Sequence, residues 1–144
     1  MNPTLSLAAN VRYQLLDAAG EVVEEWAGAN LVCLPGKYLL LAASSPKTVD
    51  SFDRICIGTS ATAAADTDTA LGAEVARATG TTTNPTPGVW QCEVTFPAGT
   101  GTGDITESAL DYQDAPSGAI LARQVFSARA KTVDRALVVT WSIS

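Results

Sequence analysis

Period-two alternation of apolar and polar side chains recurs along this chain. Between Trp90 and Phe96, the residues Trp90, Cys92, Val94 and Phe96 take one side and Gln91, Glu93 and Thr95 the other. Near the C-terminus Leu137, Val139, Trp141 and Ile143 alternate with Val138, Thr140 and Ser142. Successive side chains on a strand point to opposite faces, so both runs predict half-buried strands with the bulky set facing a core. Shorter runs predict further strands at Val11 to Leu16, Glu21 to Trp26, Phe52 to Ile57, Glu74 to Ala78, Ile105 to Tyr112 and Ile120 to Ala128, and the C-terminal strand is expected over Arg135 to Ile143. The connector Asp17-Ala18-Ala19-Gly20 suits a hairpin, because Asp and Gly tolerate turn geometry.

Between these runs the punctuation is equally regular. Pro35-Gly36 precedes Lys37 to Ala43, a stretch of good helix formers without β-branching that predicts one short helix, closed by Ser44-Ser45-Pro46. Gly58 to Asp68 is rich in Thr, Ala and Asp and reads as a loop, with one helical turn expected over Thr69 to Gly72. Thr79 to Gly88 and Pro97 to Gly103 read as exposed connections, and Ala115 to Gly118 as a tight turn. Seven or eight short strands at roughly ten-residue spacing form the pattern of an all-β, antiparallel sandwich or jelly roll. The expected organisation is a single β-sandwich domain over residues 1–144. Residues 1–10 read either as an extended N-terminal arm or as an edge strand.

Composition narrows the chemistry. At 144 residues, 47% hydrophobic and 17% charged, the chain is long enough to bury a core. A formal charge of −6 without a basic cluster argues against nucleic acid or an anionic membrane as partner. The N-terminus lacks the basic-then-apolar pattern of a secretory signal, and the apolar run Tyr38 to Ala43 is far short of the roughly 20 residues that span a bilayer. Synthesis in a cytoplasm is therefore expected. Cys33, Cys56 and Cys92 are odd in number, widely spaced and set among apolar neighbours, which predicts buried free thiols.

Histidine is absent, which removes the usual proton carrier near neutral pH. The segment Gly99-Thr100-Gly101-Thr102-Gly103 lacks the lysine of a phosphate cradle and reads as a turn. Asp66 and Asp68, with Asp50 and Asp53 upstream, lack the ladder of acidic positions that a calcium loop needs, so turn capping is the expectation. Glu74 and Glu107 form a paper pair for glycoside hydrolysis, but ion pairing of Glu74 with Arg77 or Arg123 is the simpler role. Tyr13, Tyr38 and Tyr112 are the obvious candidates for an exposed aromatic patch on a carbohydrate- or receptor-binding module. No catalytic, cofactor-binding or metal-ligating residue is assigned, and no cofactor is expected.

Four segments in order carry a resemblance. They are Asn30-Leu31-Val32 with Gly36 and Leu39-Leu40-Leu41; Ile57 to Arg77; Ile105-Thr106-Glu107-Ser108-Ala109-Leu110; and Leu121 to Phe126 followed by Lys131 and Leu137 to Ile143. Together they resemble small virion structural proteins of tailed bacteriophages. Gly58-Thr59-Ser60 stands where that family usually has Gly-Thr-Gly. The resemblance implies a non-enzymatic protein located in the virion, first a capsid decoration or cement protein stabilising the shell through multivalent contacts. A small tail, baseplate or fibre-attachment protein is the alternative location. The implied partners are the major capsid protein or other virion proteins, with a homo-oligomer, dimer or trimer, of the chain itself.

Overall fold

A computed structural model describes residues 7–42 and 51–144. Nine strands and one helix follow in chain order among them: β1 Ala9–Leu16, β2 Val22–Val32, α1 Leu34–Ala42, β3 Arg54–Gly58, β4 Glu74–Thr79, β5 Thr81–Thr86, β6 Val89–Phe96, β7 Gly103–Asp111, β8 Ala122–Lys131 and β9 Ala136–Ile143. All pairings are antiparallel, in the order β4-β3-β7-β8-β2-β1-β9-β6-β5. The expected fold class is present: an all-β, antiparallel architecture with one short helix.

β2 joins the two halves. Along most of its length it pairs with β1, and its last residues, Leu31 and Val32, pair with Arg123 and Ala122 of β8. At the far side a single residue, Gly80, carries the chain from β4 at one end of the strand order to β5 at the other. A Cβ on Gly80 would collide with the sulfur of Cys92, so the crossing is made where no side chain fits. The sheet thus folds over on itself, and both halves send apolar side chains to one core.

The period-two reading of β6 and β9 holds in that core. Cys92, Val94, Phe96, Leu137, Val139, Trp141 and Ile143 all enter one buried cluster with Ile55, Ile57 and Leu110 of the opposite half. Trp141 is fully buried and its indole N–H donates to Ser108 Oγ at 3.1 Å, which ties β9 to β7 across the core. That bond removes the cost of enclosing the ring nitrogen.

Several boundaries differ from the sequence reading. Thr79 to Gly88 is not a plain exposed loop. Thr81–Thr86 forms a strand whose threonines pair with Glu93, Cys92 and Gln91 of β6, and the ladder skips at Asn84 and Pro85. The β-branched run and an available partner edge outweigh Pro and Asn there. The second strand runs past Trp26 to Val32, carried by small residues Ala27, Gly28 and Ala29. Gly28 admits the Gln124 side chain, which occupies the space a Cβ would need. The helix starts at Leu34 with Pro35 in its first turn, where the missing N–H costs nothing. Thr69 to Gly72 bends without making a helical turn. Of the segment 1–10 read as an arm or an edge strand, residues 9 and 10 belong to β1 and Ala8 N–H is bonded to Ser144 O, while residues 1–6 and the helix closure at Ser44-Ser45-Pro46 lie outside the described residues.

Beyond the short β2–β8 ladder the two strands diverge, and side chains fill the seam. Tyr13 stacks on Trp26 with ring centres 4.9 Å apart, Phe126 tilts against both, and the Arg129 guanidinium sits 4.8 Å over the Trp26 ring. Tyr13 Oη donates to Gln124 Oε1 at 2.8 Å. Among the described residues, the buried side-chain polar atoms without a protein partner, Trp26 Nε1, Arg129 Nε and both amide atoms of Asn30, all lie along this seam.

Candidate functional site

The densest polar construction lies on the outward face of the half-sheet β4-β3-β7-β8, under the loop 59–73. A register shift between Ile105 and Glu107 interrupts the alternation of β7. Ile105 enters the core, yet both Thr106 and Glu107 reach the loop. A bulge of this kind re-aims side chains that strict alternation would send to opposite faces. Thr106 Oγ1 donates to Ser60 O at 2.8 Å. Glu107 has no exposed surface, and its carboxylate accepts the backbone N–H groups of Ser60 (3.2 Å), Gly72 (3.0 Å) and Ala73 (2.8 Å).

Arg123 of β8 completes the arrangement from the adjacent strand. Its Nε and Nη2 donate to Glu107 Oε2 at 3.1 and 2.9 Å, and its Nη1 donates to Asp68 Oδ2 at 2.8 Å. Nη2 also donates to Thr62 O at 3.0 Å. Asp68 Oδ2 in turn accepts the Ala65 N–H at 2.9 Å. Burial on its own weakens protonation of Arg123, but the bonds to Asp68 and Glu107 and their negative charge outweigh it and raise its pKa. The cation is therefore permanent, and the carboxylate it faces is engaged from both oxygens. Two glycines make room. A Cβ at Gly58 would strike Glu107 Oε1 and lie 2.5 Å from Ala73 O, and one at Gly72 would lie 2.5 Å from Ser60 Oγ.

Two further buried ionic groups fasten other loops in the same manner. Asp111, fully buried at the end of β7, accepts from Arg77 Nη1 at 3.2 Å, from Tyr112 N–H at 2.8 Å and from the Ser117 N–H and hydroxyl. The pKa of Arg77 is raised, first by its hydrogen bond to Glu74. Lys131 is buried and its Nζ donates to Pro97 O at 3.0 Å and Arg135 O at 2.8 Å, clasping two turns; desolvation lowers its pKa.

The residues singled out from the sequence fall out as follows. Glu74 pairs with Arg77, at 2.6 Å, as one of the two expected options; Arg123 is instead committed to Glu107 and Asp68. Gly58 stands opposite both Glu74 of β4 and Glu107 of β7, so the two acids are two strands apart, about 10 Å, each held by a different arginine. Asp68 caps its turn as expected and adds the ion pair, Asp53 pairs with Arg54, and Asp50 lies outside the described residues. Cys33, Cys56 and Cys92 are buried free thiols. Burial pushes all three upward in pKa, Cys33 and Cys92 to about 12. Gly99, Gly101 and Gly103 form a turn with positive φ at each glycine. The tyrosines do not form a patch: Tyr13 is buried in the seam, Tyr112 packs edge-on against Phe52, and Tyr38 is 61% exposed.

Sequence reasoning missed the Glu107–Arg123–Asp68 combination, although a signal existed. Strict alternation puts Glu107 on the side of Ile105 and Ala109, and Arg123 on the side of Leu121 and Val125, and a charge among such neighbours must be paired. Beside Arg123 the loop leaves a groove of about 430 Å³, lined by Leu31, Ala61, Ala63, Ala64 and Val125 with Asn30 and Gln124. Neither a protein-family model, nor a curated protein, nor a solved structure matches the chain.

Proposed function

We propose that this chain is a non-enzymatic structural protein of a tailed-phage virion, most concretely a decoration protein that grips the outside of the capsid shell. The observation that carries this reading is the use made of Glu107. A buried carboxylate with three backbone donors and an arginine is spent on holding a fifteen-residue loop in one shape, and its lone pairs are not free for a reacting group. The loop it holds is mostly small and uncharged, running Thr59-Ser60-Ala61-Thr62-Ala63-Ala64-Ala65 before its two aspartates. A fixed, small-residue surface on a stiff sheet suits close contact with a neighbouring subunit. Many copies on one shell make weak individual contacts sufficient. The quoted sequence segments, above all Ile57 to Arg77 and Ile105 to Leu110, include the residues that build this loop and its anchor, which supports the resemblance they carry.

The experiment is reconstitution. Purified protein is added to capsids from particles that lack it, and occupancy is followed by sedimentation and electron microscopy. Saturable binding with a fixed number of copies per shell, and a higher temperature of shell rupture, are expected. Protein that stays in the supernatant with capsids and with isolated tails overturns the reading. Binding to tails alone moves the site from shell to tail.

A further inference from the structure

We infer that β5 is a self-pairing edge, and that two copies of this chain associate by antiparallel β5–β5 pairing around a two-fold axis. This builds on the structural-protein reading by naming the contact for its homo-oligomer, but its test needs no shell, so the two can fail separately.

The strand order ends at β4 on one side and β5 on the other, and the two ends are treated differently. β4 carries Glu74 and Arg77, whose ion pair lies on the strand. β5 carries no charge. From Ala78 to Cys92 there is no Asp, Glu, Lys or Arg, in a chain whose net charge is −6. Every residue of Thr81–Thr86 is exposed, and among the described residues no strand pairs with its outer edge. Exposed edges are ordinarily guarded by charges, Pro or bulges, because their unpaired N–H and C=O groups recruit other strands. Here the guard, Pro85 with the ladder skip, covers the distal end and leaves Thr81-Thr82-Thr83 open.

A second copy is the occupant that fits this edge best. Antiparallel pairing about a two-fold axis sets the same patch against itself. With the axis through Thr82, Thr81 faces the partner's Thr83 and Thr82 faces the partner's Thr82, so the run of three threonines is its own complement, and cross-strand Thr–Thr pairs are favourable. Two copies of a protein with charge −6 repel each other, and this segment lets them touch without bringing like charges face to face. One added strand buries less than the roughly 1,200–2,000 Å² of a stable interface, so the dimer dissociates in the micromolar range.

Two double variants test this. Thr81 and Thr83 lie on the same face of the strand, opposite Glu93 and Gln91. Thr81→Lys with Thr83→Lys, and Thr81→Glu with Thr83→Glu, each place like charges across the proposed axis. Sedimentation equilibrium of the wild type at about 100 µM, above the Kd such an interface supports, should give twice the 14.9 kDa monomer mass. Each variant alone should sediment as a folded monomer, the glutamate variant melting slightly lower because position 81 faces Glu93 within the same chain, and an equimolar mixture should restore the dimer mass. A wild type that is monomeric, a trimeric mass, a dimer indifferent to both variants, or a mixture that stays monomeric overturns the proposal.

Discussion

Arg123→Met is the most informative single perturbation, because it separates a counter-ion from an anchor. Methionine keeps most of the apolar stem and removes the guanidinium. Glu107 is then a buried carboxylate facing three backbone N–H groups and no cation, while Thr62 O loses its donor and Asp68 keeps the Ala65 N–H. Removing one partner of a buried pair costs about 3–5 kcal/mol, and the amides that still solvate Glu107 favour the lower end. For a chain of this length that is roughly 10–20 °C in Tm. The second half of the cycle sharpens the test. If the pair were a simple ion pair, replacing both members by apolar residues would be nearly neutral. Here Glu107→Leu with Arg123→Met orphans the N–H groups of Ser60, Gly72 and Ala73, at about 1–3 kcal/mol each, so the double variant should remain at least about 3 kcal/mol below wild type. Urea unfolding followed by tryptophan fluorescence gives the free energies, and amide exchange at positions 60, 72 and 73 gives the local effect. A double variant as stable as wild type, with those amides still protected, would refute the anchoring role.

Further outcomes follow from the same packing. Gly72→Ala should cost about 1–3 kcal/mol, because its Cβ would lie 2.5 Å from Ser60 Oγ. Ser60→Gly should recover most of that loss in a double-mutant cycle by urea melts, and additive losses would contradict the clash. Trp141→Ala should cost about 3–5 kcal/mol in the same assay, given a fully buried indole bonded to Ser108; a near-zero change would put the last strand's faces the wrong way round. The three thiols should be inert to a thiol-reactive disulfide reagent at pH 8 in the native protein and all react in denaturant. Their folded pKa values lie above the unfolded one, so their contribution to stability is complete below about pH 9 and is lost as pH climbs toward 12, with a slope of at most about 1.4 kcal/mol per pH unit per thiol. Urea midpoints that stay flat from pH 9 to 11 would contradict this.

The pleated framework was largely visible in the sequence, and the ionic network was not. Alternation is a local property, so β6 and β9 could be read with the correct faces from their own residues. The bulge in β7 is different. It turns Glu107 to the face opposite Ile105, where strict alternation would put the two on the same face, and nothing within Ile105 to Leu110 announces a shift that arises from pairing with β8. Arg123 and Asp68 are 55 positions apart and Glu107 is 16 from Arg123, distances that only tertiary pairing brings together. The strand at Thr81–Thr86 was masked by Asn84, Pro85 and Pro87, turn formers that outvote three threonines locally but not once β6 offers an edge. From the sequence, Gly58 opens a loop and Gly72 ends a single helical turn. Their real constraint is steric, set by the side chains of Glu107 and Ser60.

Loop 59–73 is longer than the fold requires. β3 and β4 are antiparallel neighbours whose ladder closes at Gly58 opposite Glu74, and two residues suffice to join such strands. The chain instead spends fifteen there. Ordering each costs about 1–2 kcal/mol of backbone entropy, and the segment offers little apolar area in return, with Leu71 its one large apolar side chain. Charged anchors take up the task that a hydrophobic face performs elsewhere: Glu107 holds both ends of the loop, at Ser60 and at Gly72-Ala73, while Arg123 holds its middle at Thr62 and Asp68. Clamping both ends and the middle fixes a shape, whereas stabilising the sheet alone would need only the ends. The same logic governs the 113–118 turn under Asp111 and the two turns clasped by Lys131. In each case a buried charge is placed beneath irregular backbone whose outer side faces solvent. That arrangement makes sense where the outward contour of the loops, rather than any group inside them, is what a neighbouring molecule reads.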